Sequence, residues 1–117
     1  MNNRILIYHN PNWSKSRKSV EILENQGLEF EVIQYIKNPP NINQIKQICS
    51  KLNLEPKEII RKGEKDFKEN NLSEIMNDEN ILLQKMVEFP KIIERPIIIA
   101  GNKATIGRPP ENILDIL

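Results

Sequence analysis

The chain has one cysteine, one histidine and one tryptophan in 117 residues. A lone thiol, Cys49, excludes an internal disulfide and any metal cluster built on several cysteines, and it fits a cytoplasmic protein. A lone imidazole, His9, excludes a histidine-rich centre, so no metal site is expected. Charge of one sign is missing too. The 17 Lys and Arg against 16 Asp and Glu leave a formal charge of +1, and no broad basic field invites nucleic acid. Long apolar runs are absent: the longest last a few residues, too short to cross a bilayer. Met1–Arg4 lacks the charged-then-apolar pattern of a signal segment. Neither a nucleic-acid nor a membrane partner is expected. Repeats and low-complexity tracts are also lacking.

What remains is a length close to the commonest size for one domain, and a single domain over 1–117 is expected. Arg4–Tyr8 is short, apolar and β-branched, which predicts a buried first strand ending at His-Asn-Pro. Ser14–Gln26 reads as a helix with Val20, Ile22 and Leu23 on its apolar stripe and Gly27 as its stop. Leu28–Ile36 reads as a second strand and Asn38–Asn41 as a turn. Ile42, Ile45, Ile48, Cys49 and Leu52 recur at helical spacing. Pro56–Arg61 reads as a short helix. The charged stretch 62–71 has Phe67 and Leu72 as anchors. Asp78–Glu88 reads as a helix with Ile81, Leu82, Met86 and Val87 apolar and Asn77 or Asp78 as cap. Pro96–Ala100 is a strand, Gly101-Asn102 a tight turn into Lys103–Ile106, and a last helix runs to Leu117. The first two strands, joined through a helix, should be parallel, and the hairpin antiparallel. The expected fold is α/β and thioredoxin-like: a mixed four-stranded sheet, flanking helices and a helical insertion.

The stretch from His9 to Arg17, HNPNWSKSR, is a strand-to-helix turn. The first N–H groups of a helix lack helical partners and sit at its positive dipole end. Ser14, Lys15, Ser16 and Arg17 would add two hydroxyls and two cations, which makes an oxyanion cradle. The same residues would equally serve as a capped, solvated helix start. Arg61, Arg95 and Arg108 each stand at the edge of a predicted element. The planar fork of arginine matches a tetrahedral oxyanion, although solvation is the default for any one arginine. His9 is either a titrating neighbour of the anion or a turn residue bonded to backbone. Cys49 lies on an apolar stripe, where a packed thiol is inert. Pro96 after Arg95 admits a cis bond, with trans the default.

Taken together, YHNPNWSKSR, Pro39-Pro40, IIRK at 59–62, ERPIII at 94–99 and IGRPPENILDIL at 106–117 resemble the glutaredoxin-coupled arsenate reductases, the ArsC family. The nearest resemblance is to the short branch whose loop reads His-Asn-Pro-x-Cys-Ser-Lys-Ser-Arg, and it covers essentially the whole chain. It implies a thioredoxin-like fold. It implies a cysteine thiolate that attacks arsenate, glutathione that adds to the adduct, and glutaredoxin that resolves the mixed disulfide as arsenite leaves. It assigns the oxyanion to Arg61, Arg95 and Arg108 and makes the proline after the second of these cis. The loop residues His9, Asn10, Ser14, Lys15, Ser16 and Arg17 match as well. No bound cofactor is implied, and a cytoplasmic monomer is expected.

The departure falls on the nucleophile, whose position holds Trp13. Indole has one N–H donor and no group that becomes a nucleophile at neutral pH. Cys49 is no substitute. As written, the chain is expected to be inactive in the thiol step. One base separates the cysteine codons from that of tryptophan, and UGA is selenocysteine or tryptophan in some contexts, so codon 13 and an intact mass define the residue. A second reading is a non-catalytic relative that binds or senses an oxyanion. A third is an Spx-type transcription regulator, but those lack the His-Asn-Pro start and usually carry a Cys-x-x-Cys pair and a longer tail. A pull-down with the polymerase α subunit discriminates it.

Overall fold

The computed structural model describes residues 5–9 and 14–117. Asn10 and Trp13 lie outside the described residues, as does the side chain of Lys15. The chain gathers into two compact units, residues 1–38 with 95–117 and residues 39–94.

The first unit holds the sheet. Strand β1 (Ile5–His9) is followed by helix α1 (Ser14–Asn25) and strand β2 (Phe30–Gln34), and the hairpin of β3 (Ile97–Ala100) and β4 (Lys103–Ile106) completes it. The order is β2-β1-β3-β4. β1 and β2 run parallel, as their helical connection requires, while β1–β3 and β3–β4 are antiparallel. This is the mixed sheet of a thioredoxin-like fold. The central strands are buried: Ile7 and Ile98, which face each other across β1 and β3, are fully enclosed. They pack with Ile5, Leu23 and Ile113 in one core.

Helix α1 buries Ser16, Ser19 and Leu23, spaced i, i+3 and i+7 and therefore on one face. Its end is a Schellman motif. Gly27 has φ 68°, its N–H donates to Glu24, and the N–H of Leu28 donates to Leu23 at 3.4 Å. That motif absorbs Leu28, so β2 begins at Phe30 instead of Leu28. It stops at Gln34 instead of Ile36 because the N–H groups of Lys37 and Asn38 both turn back to the Gln34 carbonyl.

The second unit carries α2 (Ile42–Leu52), α3 (Lys65–Glu69) and α4 (Glu79–Glu88), with 3-10 turns between them. Asn41 and Gln44 close a capping box at the start of α2, and Asp78 caps α4 by accepting from Ile81 N–H. Phe67 and Leu72 are buried, as the sequence led one to expect. Pro56–Arg61 forms only one 3-10 turn, Pro56–Ile59, because Ile60 is extended and bridges to Ile93. In α4 the buried residues are Leu82, Leu83 and Met86, whereas Ile81 is exposed.

The last helix is corrected likewise. Pro110–Ile116 is wound as 3-10 turns. Seven residues are too few to propagate an α-helix on their own, and burial of Ile113 in the first unit's core anchors them. No helix among the described residues is long and apolar enough to cross a membrane.

Candidate oxyanion site

The strand register decides which residues meet in the first unit. Tyr8 pairs with Ile97, and Ile97 pairs with Ile106. One step further out stand His9, Pro96 and Gly107, and the next residues along the chain are Arg95 and Arg108. The C-terminal end of β1, the start of β3 and the end of β4 therefore share one end of the sheet. The chain leaves that end at His9 and enters α1 at Ser14.

Gly107 fixes this end. Its N–H donates to the Pro96 carbonyl at 2.8 Å and so extends the β3–β4 ladder by one rung. A Cβ on Gly107 would stand 2.7 Å from Ser19 Oγ and 2.9 Å from Pro96 Cγ. Only a hydrogen fits where α1, Pro96 and β4 converge. Beyond it, Asn112 Nδ2 donates to the carbonyls of Ile106 and Arg108 at 3.3 and 3.2 Å, which holds the backbone on both sides of Gly107. The Arg95–Pro96 bond is cis, as the family resemblance implies, and so is Arg108–Pro109, which the sequence reading did not foresee.

His9 is a strand residue opposite Gln34, not a turn residue. It is 8% exposed, and among the described residues its Nδ1 has no hydrogen-bond partner. Burial lowers its pKa from the ordinary 6.5, and the nearby Arg17 cation lowers it further. The imidazole is therefore neutral at pH 7. Ser16, in the first turn of α1, is fully buried, and its Oγ likewise has no partner among the described residues. Buried polar atoms without partners are costly and uncommon. Among the described residues, the two such atoms stand at one strand end and in the helix turn that follows it. Of the two serines expected in the cradle, Ser14 is exposed and Ser16 is enclosed. The helical period puts Ser16 on the buried face with Ser19 and Leu23. Arg17 is exposed, Arg95 half-buried and Arg108 exposed.

Arg61 belongs to the second unit and is placed by contacts there. Its N–H donates to the Ile92 carbonyl at 2.7 Å, and its guanidinium reaches two carboxylates, Nε to Glu64 at 3.3 Å and Nη1 to Glu94 at 3.2 Å. The sequence reading missed both carboxylates. The i, i+3 spacing of Arg61 and Glu64 was a usable signal; the pairing across 33 residues with Glu94 had none. Cys49 is buried, and burial, with Glu79 and Glu58 nearby, pushes its thiol up to about 11. It is a packed, unreactive thiol.

Comparison with known proteins bears on the whole chain. Residues 8–116 match the ArsC family. An arsenate reductase of Neisseria meningitidis is 39% identical, with 97% of each chain covered. The Escherichia coli K12 protein YfgD is 40% identical over 100% of this chain and 99% of its own length. The solved structure of an arsenate reductase from Vibrio cholerae is 40% identical, covers 100% of both chains and superposes with a TM-score of 0.93. The sequence match and the structural superposition agree, and the chain belongs to the ArsC family of arsenate reductase relatives.

Proposed function

We propose that the chain binds a tetrahedral oxyanion, arsenate or one of similar shape and charge, at the first turn of α1, without forming a covalent adduct. The observation that carries this reading is the shared sheet end, where the register brings His9, Arg95 and Arg108 to the strand that leads into α1. A helix start supplies unpaired N–H donors and a positive dipole end. Arginine supplies forked donors. The buried Ser16 hydroxyl and His9 Nδ1, without partners among the described residues, add polar groups at the same strand end and helix start. Asn10, Ser14, Lys15, Arg17 and Arg61 join the site on the family resemblance.

Residue 13 decides the reaction. A thiolate at the start of α1 would attack arsenic and displace one oxygen as water. Glutathione and glutaredoxin, in the cytoplasm, would then carry off the oxidising equivalents as a mixed disulfide while arsenite departs. Trp13 offers an N–H donor and no electron pair for that attack. Binding without turnover is what the present residues support.

Trp13 is the only tryptophan, so its fluorescence reports on its own loop. Saturable quenching or enhancement by arsenate, phosphate or sulfate, weakened in Arg95→Ala and Arg108→Ala, is expected. Failure of all three anions to bind in calorimetry would sink the reading.

A further inference from the structure

The sheet of the first unit ends at β2, which among the described residues pairs only with β1. An edge strand directs a row of main-chain N–H and C=O groups away from the sheet, and such a row is a template for another strand. Val32, at the centre of β2, is 41% exposed, and Leu28, just before the strand, is 37% exposed. The opposite edge differs. β4 starts at the exposed Lys103 and packs against the C-terminal 3-10 turns.

The charge around β2 has one sign. Between Lys18 and Lys37 the sequence holds four carboxylates, Glu21, Glu24, Glu29 and Glu31, and no Lys or Arg. All four are exposed. They give this stretch a formal charge of −4 in a chain of +1. Helix α1 ends in the same stretch with no basic residue in its last turn, so its negative dipole end adds to the field. Glu29 and Glu31 flank Phe30, which pairs with Ile5, at the opposite end of β1 from His9. The acidic end of β2 is therefore separate from the oxyanion site.

Side chains alternate along a strand, so Phe30 and Val32 share one face and Glu31 lies on the other. A strand that fits this edge sets apolar side chains on the first face and cations on the second. A second copy of the chain does not fit, because it would bring the four carboxylates against their own images. We propose that the edge of β2 docks an extended segment of a partner protein in which β-branched residues alternate with Lys or Arg, added as a fifth strand. Main-chain hydrogen bonds supply the affinity and the alternating side chains the specificity.

The probe is a capped heptapeptide of alternating Lys and Val, titrated into the isotope-labelled full chain at low ionic strength and followed by NMR. Amide shifts are expected to centre on residues 28–34. For charges about 6 Å apart in a water-like dielectric, each lost pair weakens binding about threefold. Glu29→Gln should therefore weaken the peptide about threefold, and Glu29→Gln with Glu31→Gln about tenfold. Circular dichroism and urea unfolding establish that both variants are folded. Two further peptides, N-methylated on alternate residues in the two possible phases, test the strand geometry. Every second N–H of an added strand faces the edge it joins, so one phase should abolish binding and the other preserve it. Equal behaviour of the two phases would mean charge attraction without strand addition and would overturn the proposal. So would equal binding of a peptide of the same composition with its lysines and valines in separate blocks, or no shift at millimolar peptide. Shifts at 28–34 that depend on protein concentration without peptide would make the edge an interface between copies, and would also overturn it.

Discussion

Gly107 donates its N–H to the Pro96 carbonyl at 2.8 Å, and its missing side chain leaves just enough room for Ser19 of α1 to close on the same point. The two residues that follow and precede this contact, Arg108 and Arg95, are the first unit's two candidate arginines. A Cβ at 107 would also come within 3.2 Å of Ile98 Cδ1, in the core. Gly107→Ala is expected to lower stability by about 1–3 kcal/mol, the usual range for overpacking. Because the nearest clash is with Ser19 Oγ, adding Ser19→Ala should return part of the loss. Urea unfolding of the single and double variants checks both statements; strict additivity would count against the contact.

The neutral state of His9 gives a pH dependence of definite sign. Its folded pKa lies below the unfolded value of 6.5, so between the two values the unfolded chain binds more protons. The stabilisation from a neutral His9 is complete above pH 6.5 and is lost as pH falls through the folded pKa. His9→Gln should flatten this part of the stability profile. Since Arg17 is the second cause of the shift after burial, Arg17→Gln should raise the His9 pKa and still leave it below 6.5. With one histidine in the chain, its NMR resonance is unambiguous, and an unmoved pKa in Arg17→Gln would remove the electrostatic link between strand end and helix start.

Cys49 and residue 13 should differ sharply as thiols. Cys49, pushed up to about 11 by burial first and then by Glu79 and Glu58, is expected to resist thiol reagents at neutral pH until the chain unfolds. A thiol introduced by Trp13→Cys should have a pKa below the ordinary value of about 8.5, owing to the helix start and neighbouring cations. Labelling of that variant should therefore be biphasic, with one fast thiol and one protected thiol. A single slow phase would mean that residue 13 does not experience the helix end.

Arg95 and Arg108 should not tolerate lysine. An ammonium supplies charge but not the planar fork. Arg95→Lys and Arg108→Lys are each expected to weaken oxyanion binding by about tenfold, the loss of one charge-assisted hydrogen bond. Affinities equal to wild type would mean that the two side chains act only as diffuse positive charge.

Much of the fold was legible because its signals are local. The β-branched run at Ile97–Ala100, the Gly101-Asn102 turn, the Gly27 stop and the Asp78 cap each act within a few residues and were recovered at or near their true positions. The C-terminal 3-10 turns were read as an α-helix because the apolar spacing of Ile113 and Ile116 does not distinguish the two windings over so short a span. The candidate site was legible in its residue types, through the loop and the arginines. What held those residues was not. The contact of Gly107 with Ser19 and the bracing of Arg61 by Glu94 arise from long-range packing that leaves no periodic trace, whereas the burial of Ser16 follows the helical spacing it shares with Ser19 and Leu23.

The most direct measurement is of arsenite formed from arsenate in the presence of glutathione and glutaredoxin, with the chain as it stands and with Trp13→Cys side by side. No arsenite above the reagent blank is expected from the unaltered chain, and sustained arsenite from the cysteine variant. Turnover by the chain carrying Trp13 would contradict binding without chemistry.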